Sequence, residues 1–233
     1  MVRDEALAEL EERLGHRFVD RALLRQALRH GSSVVAGESG SYQRLEFLGD
    51  AVLGNAVALL LFKQFPWADQ GTLTRMRSHL TRSTTLAGKA ALLGLDGFVE
   101  IGPSEELSRG RERNALLEDL FEAVVGALMV DAGWEQALDF VYGQFDQDLD
   151  ELDERTLALA DPKTALQEAA QARGVALPMY RQVGSVGPDH SRQWVFDVLW
   201  DGEEVARGEG RTKRAAQAQA ARRALVRLGL VPE

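Results

Sequence analysis

The hydrophobic period of this chain changes once, near Ala160, and that change divides it into two folding units of different class. Before it, apolar residues recur at helical spacing. Leu7, Leu10 and Leu14 stop at Gly15, and Asp20 can cap a helix over Arg21 to Arg29. Further apolar segments run from Tyr42 to Phe65, Thr72 to Leu93, Asn114 to Val130 and Trp134 to Leu149, the last two separated by Asp131-Ala-Gly133. Short connections between about six such segments predict an all-α domain. After the change, Pro162 to Arg173 reads as a helix stopped by Gly174, and Trp194, Phe196, Val198 and Trp200 alternate as in a strand. Asp201-Gly202 marks a tight hairpin from which Glu204 to Arg207 returns, and the alanine-rich stretch Thr212 to Leu228 closes the chain as a helix. The expected architecture is an all-α domain over 1-150, a linker over 151-160, and a small α+β domain of order α-β-β-β-α over 161-233.

Charge divides the chain at the same place. Up to Ala160 there are 16 Lys and Arg against 27 Asp and Glu, and beyond it 11 against 9. Arg211 to Arg227 holds six basic residues and no acidic one, so the overall charge of −9 hides a basic tail. The absence of cysteine excludes disulfides, thiolate metal sites and cysteine nucleophiles together. The charge-free stretch Ala51 to Phe62 is shorter than the roughly 18 to 20 apolar residues of a membrane span, so no membrane association is expected. The start, Met-Val-Arg-Asp-Glu-Ala, turns acidic and amphipathic at once, so no secretion signal is expected, and the lack of cysteine makes a cytoplasmic location the expectation.

Two of the helical segments carry paired carboxylates. In YQRLEFLGDAVL, Glu46 and Asp50 lie four residues apart, and in NALLEDLFEAVVGAL, Asp119 and Glu122 lie three apart. Either spacing puts both acids on one helix face. Set among Leu, Val and Phe, such acids need a cation or hydrogen-bond donors, and hard oxygen ligands suit Mg²⁺ or Mn²⁺ better than zinc. The same spacing also occurs on the solvated faces of amphipathic helices, and spacing alone leaves both readings open. Glu118, beside Asp119 but on another part of the helix, reads as surface.

Leu45-Glu46-Phe47-Leu48-Gly49-Asp50 resembles the signature segment of the ribonuclease III family, and Asp119-Leu-Phe-Glu122-Ala is similar to that family's second acidic motif. His30-Gly-Ser32 and Gly71 to Leu86 also follow the family pattern. The resemblance implies a nuclease domain in which Glu46, Asp50, Asp119 and Glu122 bind metal, with Asp50 and Glu122 catalytic and Mg²⁺, or Mn²⁺ in its place, as cofactor. It implies a homodimer formed through the nuclease domain, cutting both strands of duplex RNA to leave 5′-phosphates, 3′-hydroxyls and short 3′ overhangs. Precursor ribosomal RNA and structured messages are the implied substrates. An apolar face on the Phe47 to Phe62 segment is consistent with dimerisation and equally with core packing. Gln43 and Gln70 stand where many members have Glu.

The last 70 or so residues resemble a double-stranded-RNA-binding domain. By position, Thr164, Gln167, Glu168 and Gln171 of the first helix would face one minor groove, and His190, in a Gly184 to Arg192 loop, a second. Lys213 and Arg214, opening the last helix within Gly208-Glu-Gly210-Arg-Thr-Lys213-Arg214, would lie across the intervening phosphates. Gln217 replaces a frequent lysine, while Arg222, Arg223 and Arg227 read equally as solvated surface. Two rivals remain: a non-cleaving double-stranded-RNA-binding regulator, and a Mg²⁺ enzyme of small diphosphates, for which the basic tail would have no use.

Overall fold

Among the described residues, helical spacing up to Asp150 becomes seven α-helices, and the alternation after the linker becomes a three-stranded sheet flanked by two helices. A computed structural model describes residues 3–34, 40–152, 157–159, 161–188 and 192–231. It resolves into two units, Met1–Asp150 and Glu151–Glu233. The first contains α1 (Asp4–Leu14), α2 (Arg21–Ala27), α3 (Gln43–Gln64), α4 (Gln70–Leu80), α5 (Ser83–Leu93), α6 (Pro103–Leu107) and α7 (Asn114–Asp150). α1 stops at Gly15, whose φ of 67° is the left-handed conformation of a C-terminal cap. The Asp20 side chain accepts from the Ala22 amide and opens α2.

α3 and α7 form the centre. Leu53, Ala56, Val57 and Leu61 of α3 and Leu120, Phe121, Val124 and Val125 of α7 are buried. Each large side chain of this set contributes about 1.5 to 3 kcal/mol by leaving water. α3 is long and apolar enough in composition to cross a membrane, which the Ala51 to Phe62 stretch by itself did not suggest. Here it is the core helix of a bundle, packed along α7 and carrying two acids. α7 is kinked at Gly133, where φ 84° and ψ −175° are open essentially to glycine alone, so the two helical segments expected on either side of Asp131-Ala-Gly133 are both present and meet at that break.

The segment expected to run unbroken from Thr72 to Leu93 is in fact two helices. Asp69 caps the first at Thr72, and the chain turns at Thr81 and Arg82 before Ser83. No glycine or proline marks that turn. Thr85 Oγ1 donates to the His79 carbonyl and accepts from Arg82 Nε, bonding across the break, while Leu80 and Leu86 on either side both reach full burial.

In the second unit, α8 (Pro162–Arg173) precedes β1 (Met179–Val186), β2 (Gln193–Trp200), β3 (Glu203–Gly210) and α9 (Lys213–Arg227). The sheet is antiparallel in the order β1-β2-β3. Asp201 and Gly202 both have positive φ, 51° and 84°, as a two-residue hairpin of this twist requires. β1 extends to Val186, so Gly184 to Val186 belong to the strand rather than to the loop expected from Gly184. β3 likewise extends to Gly210. A Cβ on Gly208 would lie 2.2 Å from the Ala220 nitrogen, and one on Gly210 2.6 Å from the Ala216 nitrogen. These glycines, read in the sequence only as part of an RNA-facing motif, let β3 press against α9. Leu166, Val198, Ala220, Ala224 and Leu225 form the core beneath the sheet.

On the sheet's other side Asp197 is 1% exposed. It accepts from Arg207 Nε at 2.7 Å and from Arg181 at 3.1 Å, and the Arg207 guanidinium above all holds its carboxyl below the usual range.

Candidate active site

The four acids are assembled by two glycines. Gly49 lies between Glu46 and Asp50 on α3, and Gly126 lies one turn beyond Glu122 on α7. A Cβ on Gly49 would fall 1.8 Å from the Glu122 carbonyl oxygen, and one on Gly126 2.1 Å from the Leu45 carbonyl oxygen. The two backbones therefore touch where no side chain fits between them, and the crossing brings both acid pairs to one place. The sequence reading missed this role; a glycine in each acidic helix segment was the available signal.

Electrostatics record the juxtaposition. Glu122 is half-buried, and burial first, then the charges of Asp50, Glu118, Glu46 and Asp119, push its carboxyl up to about 8. Burial followed by Asp119, Asp50 and Glu118 raises Glu46 as well. All four acids thus act within one field, dominated by carboxylates and low in counter-charge. Glu118 also belongs to that field and is half-buried, which corrects its reading as surface. The α7 turn that buries Leu117 and Phe121 leaves Glu118 beside Glu122 rather than away from it.

Asp119 differs from the others in having a fixed partner. The buried Tyr42 phenol, one residue ahead of α3, donates to Asp119 Oδ2 at 2.9 Å. Burial and this bond push the phenol far above its ordinary range. His30 leans on the Tyr42 ring at 5.7 Å between centroids. Its Nδ1 accepts from the Ser32 amide, so the Ser32 hydroxyl, 2.7 Å away, donates to the same nitrogen while its oxygen accepts from the Gly102 amide. The upstream His30-Gly-Ser32 motif thereby acquires a position behind Asp119.

Among the described residues no three His, Asp or Glu side chains converge as ready metal ligands. The donor chemistry fits a hard divalent ion: oxygen only, half-buried at Glu46, Asp119 and Glu122 with Asp50 exposed, and short of positive charge. Gln43 and Gln70 are both exposed, and Gln43 Oε1 accepts from the Ser41 hydroxyl at 3.2 Å.

In the second unit, Thr164, Gln167, Glu168 and Gln171 share the exposed face of α8, opposite buried Leu166 and Ala170. Thr164 Oγ1 also bonds Asp161 in the helix cap. His190 lies outside the described residues. Lys213 and Arg214 are exposed in the first turn of α9, with Thr212 capping at the Ala215 amide. Lys213 Nζ stands 4.6 Å from the Trp194 ring centre. Gln217 accepts from Lys163 at 2.8 Å, so a cation from α8 reaches the place of the missing lysine. Arg222, Arg223 and Arg227 donate to the carbonyls of Leu159, Arg207 and Val205; they fasten α9 to its surroundings and are more than solvated surface.

Comparison with known proteins supplies relatives for both units. Residues 20–149 match the family model described as Ribonuclease-III-like, and residues 162–228 match the double-stranded RNA binding motif. Ribonuclease 3 of Azorhizobium caulinodans is 45% identical over 235 residues, covering 100% of this chain and 99% of its own. Ribonuclease 3 of Chloroflexus aggregans is 41% identical, with 95% and 97% covered. The nuclease domain of the Campylobacter jejuni enzyme, whose structure is described by flexibility in a region involved in dimer formation, superposes with a TM-score of 0.59. It is 34% identical and spans 62% of this chain and 99% of its own.

Proposed function

The chain belongs to the ribonuclease III family and acts as a metal-dependent endoribonuclease on double-stranded RNA; within that activity we propose that Glu46, Asp50, Asp119 and Glu122 hold Mg²⁺, with Mn²⁺ able to replace it. The observation that supports this most is the glycine crossing of α3 and α7, which gathers four acids into one field where Glu122 is pushed up to about 8. A pair of bound Mg²⁺ ions supplies charge neutralisation at the phosphate, activation of water and stabilisation of the departing oxygen. Asp50 and Glu122, one from each helix, are the catalytic pair. Tyr42 occupies one oxygen of Asp119 and thereby limits how that acid can turn. Hydrolysis adds water at phosphorus and breaks the bond to the 3′ oxygen, leaving a 5′-phosphate and a 3′-hydroxyl. No histidine or lysine base is required of the protein.

The unit over 1-150 is the nuclease domain, 151-160 the linker and 161-233 the RNA-binding domain. Thr164, Gln167, Glu168 and Gln171 contact one minor groove, His190 a second, and Lys213 and Arg214 the phosphates between. Two nuclease domains pair, each cutting one strand, with short 3′ overhangs as the result. Phe47 and Phe62 on α3, 80% and 69% exposed, support such pairing. Precursor ribosomal RNA and structured messages are the substrates, in the cytoplasm.

A perfectly paired RNA incubated with the wild type and with Glu122→Gln, in Mg²⁺ and in EDTA, tests the reading when binding and cleavage are measured separately. The wild type should cut only with metal, and Glu122→Gln should bind without cutting. Binding by both with cleavage by neither, in any metal, would make the protein a regulator of duplex RNA instead.

A further inference from the structure

We infer that Tyr42 is a positioning residue of the acid site, setting which oxygen of Asp119 is presented to a divalent cation, and that His30 with Ser32 keeps the Tyr42 ring in place. The inference rests on the reading of the four acids as metal ligands. Of the four, Asp119 alone is held by a described side-chain donor: the phenol takes Oδ2 at 2.9 Å and leaves Oδ1 for other use. Tyr42 is 3% exposed as a residue, and its hydroxyl has one strong acceptor here and little freedom to leave it.

The ring has its own support. It is buried at the entrance to α3, and the Tyr42 amide donates to the Arg29 carbonyl at 2.9 Å, anchoring the backbone next to His30. The His30 ring tilts against it, and His30 is fixed in turn by Ser32, whose hydroxyl oxygen also accepts from Gly102 at 2.8 Å. A Cβ on Gly102 would lie 2.3 Å from the Ser32 carbonyl oxygen, so this contact between two loops leaves no slack. The chain Gly102, Ser32, His30, Tyr42 thus ends on one carboxylate oxygen. Its members come from three stretches of sequence.

Outer partners of metal ligands orient them, and loss of one typically costs about 10- to 100-fold in metal affinity. Tyr42→Phe removes the hydroxyl and keeps the ring. Calorimetric titration of the full-length protein with Mg²⁺, in the absence of RNA, should show affinity reduced about tenfold. In cleavage assays the half-saturating Mg²⁺ concentration should rise by the same factor while kcat at saturating Mg²⁺ returns close to the wild-type value. His30→Ala, which leaves the phenol intact, should shift affinity in the same direction by a smaller factor and serves should Tyr42→Phe not fold. In an Asp119→Asn background Tyr42→Phe should add nothing further. Unchanged Mg²⁺ affinity in both Tyr42→Phe and His30→Ala, beside a wild type that binds Mg²⁺, overturns the inference and leaves the metal site standing. A wild type that binds no Mg²⁺ overturns the reading of the acids themselves.

Discussion

Gly49 and Gly126 face each other across α3 and α7, each with its missing Cβ about 3 Å from the other's backbone nitrogen, at 3.0 and 3.1 Å. Glycine inside a helix ordinarily costs about 0.5 to 1 kcal/mol relative to alanine. At these two positions the sign reverses. Gly49→Ala or Gly126→Ala should destabilise the nuclease unit by about 1 to 3 kcal/mol, because the new methyl meets backbone that cannot move aside. Gly143→Ala on α7, where a Cβ meets nothing within 4 Å, should be neutral or stabilising. Denaturant midpoints of the three variants check the contrast; equal shifts would mean the helices are not locked at the crossing.

Glu122 at about 8, with Glu46 raised in the same direction, makes the metal-free protein sensitive to alkali. The folded state keeps a proton that the unfolded chain has released above the ordinary value of 4.5, so in EDTA stability should fall as pH rises from there through about 8. A cation must displace that proton. Mg²⁺ affinity should therefore climb with pH, by up to about tenfold per unit for one coupled proton, and level off once Glu122 is ionised. Calorimetry with Mg²⁺ across this range checks it, and a pH-independent affinity would contradict the shared field.

Asp197 stabilises the RNA-binding unit through Arg207 and Arg181. Its lowered pKa means that this contribution is present above the ordinary value of 3.8 and is lost as pH falls through the lower folded value. Asp197→Ala should cost about 1 to 3 kcal/mol, less than a fully buried pair because both guanidinium groups are half-exposed. Thermal unfolding of the variant near neutral pH and in acid should show the difference shrinking in acid.

Lys213→Ala and Arg214→Ala should each weaken duplex RNA binding and reduce the slope of log affinity against log salt by about 1. Lys213→Ala should also change tryptophan fluorescence, since the ammonium stands over the Trp194 ring, which, among the described residues, Arg192 alone would then cover. A slope unmoved by either variant would place the phosphate contacts elsewhere.

Much of this protein is legible from local pattern alone. Hydrophobic period separated a helical unit from an α+β one, Asp20 and Gly15 marked helix ends, and Asp201-Gly202 marked the hairpin, because each signal acts within a few residues. The acid pairs were visible for the same reason: three or four residues on a helix always share a face. The break at Thr81 and Arg82 was not, since it carries no glycine or proline and is sustained by Thr85 and by the burial of Leu80 and Leu86.

What tertiary structure alone decided is how separate faces meet. Nothing local in YQRLEFLGDAVL says that Gly49 will press on the Glu122 backbone, or that Tyr42 will reach an acid 77 residues away. Nor does any local pattern say that Glu118, on α7, will share the field of Glu46 on α3. Helix propensity and spacing are set by neighbours in sequence. Close approach, desolvation and mutual charge depend on which surfaces the packed core brings together, and here the α3 and α7 crossing put four separate acids in one electrostatic field.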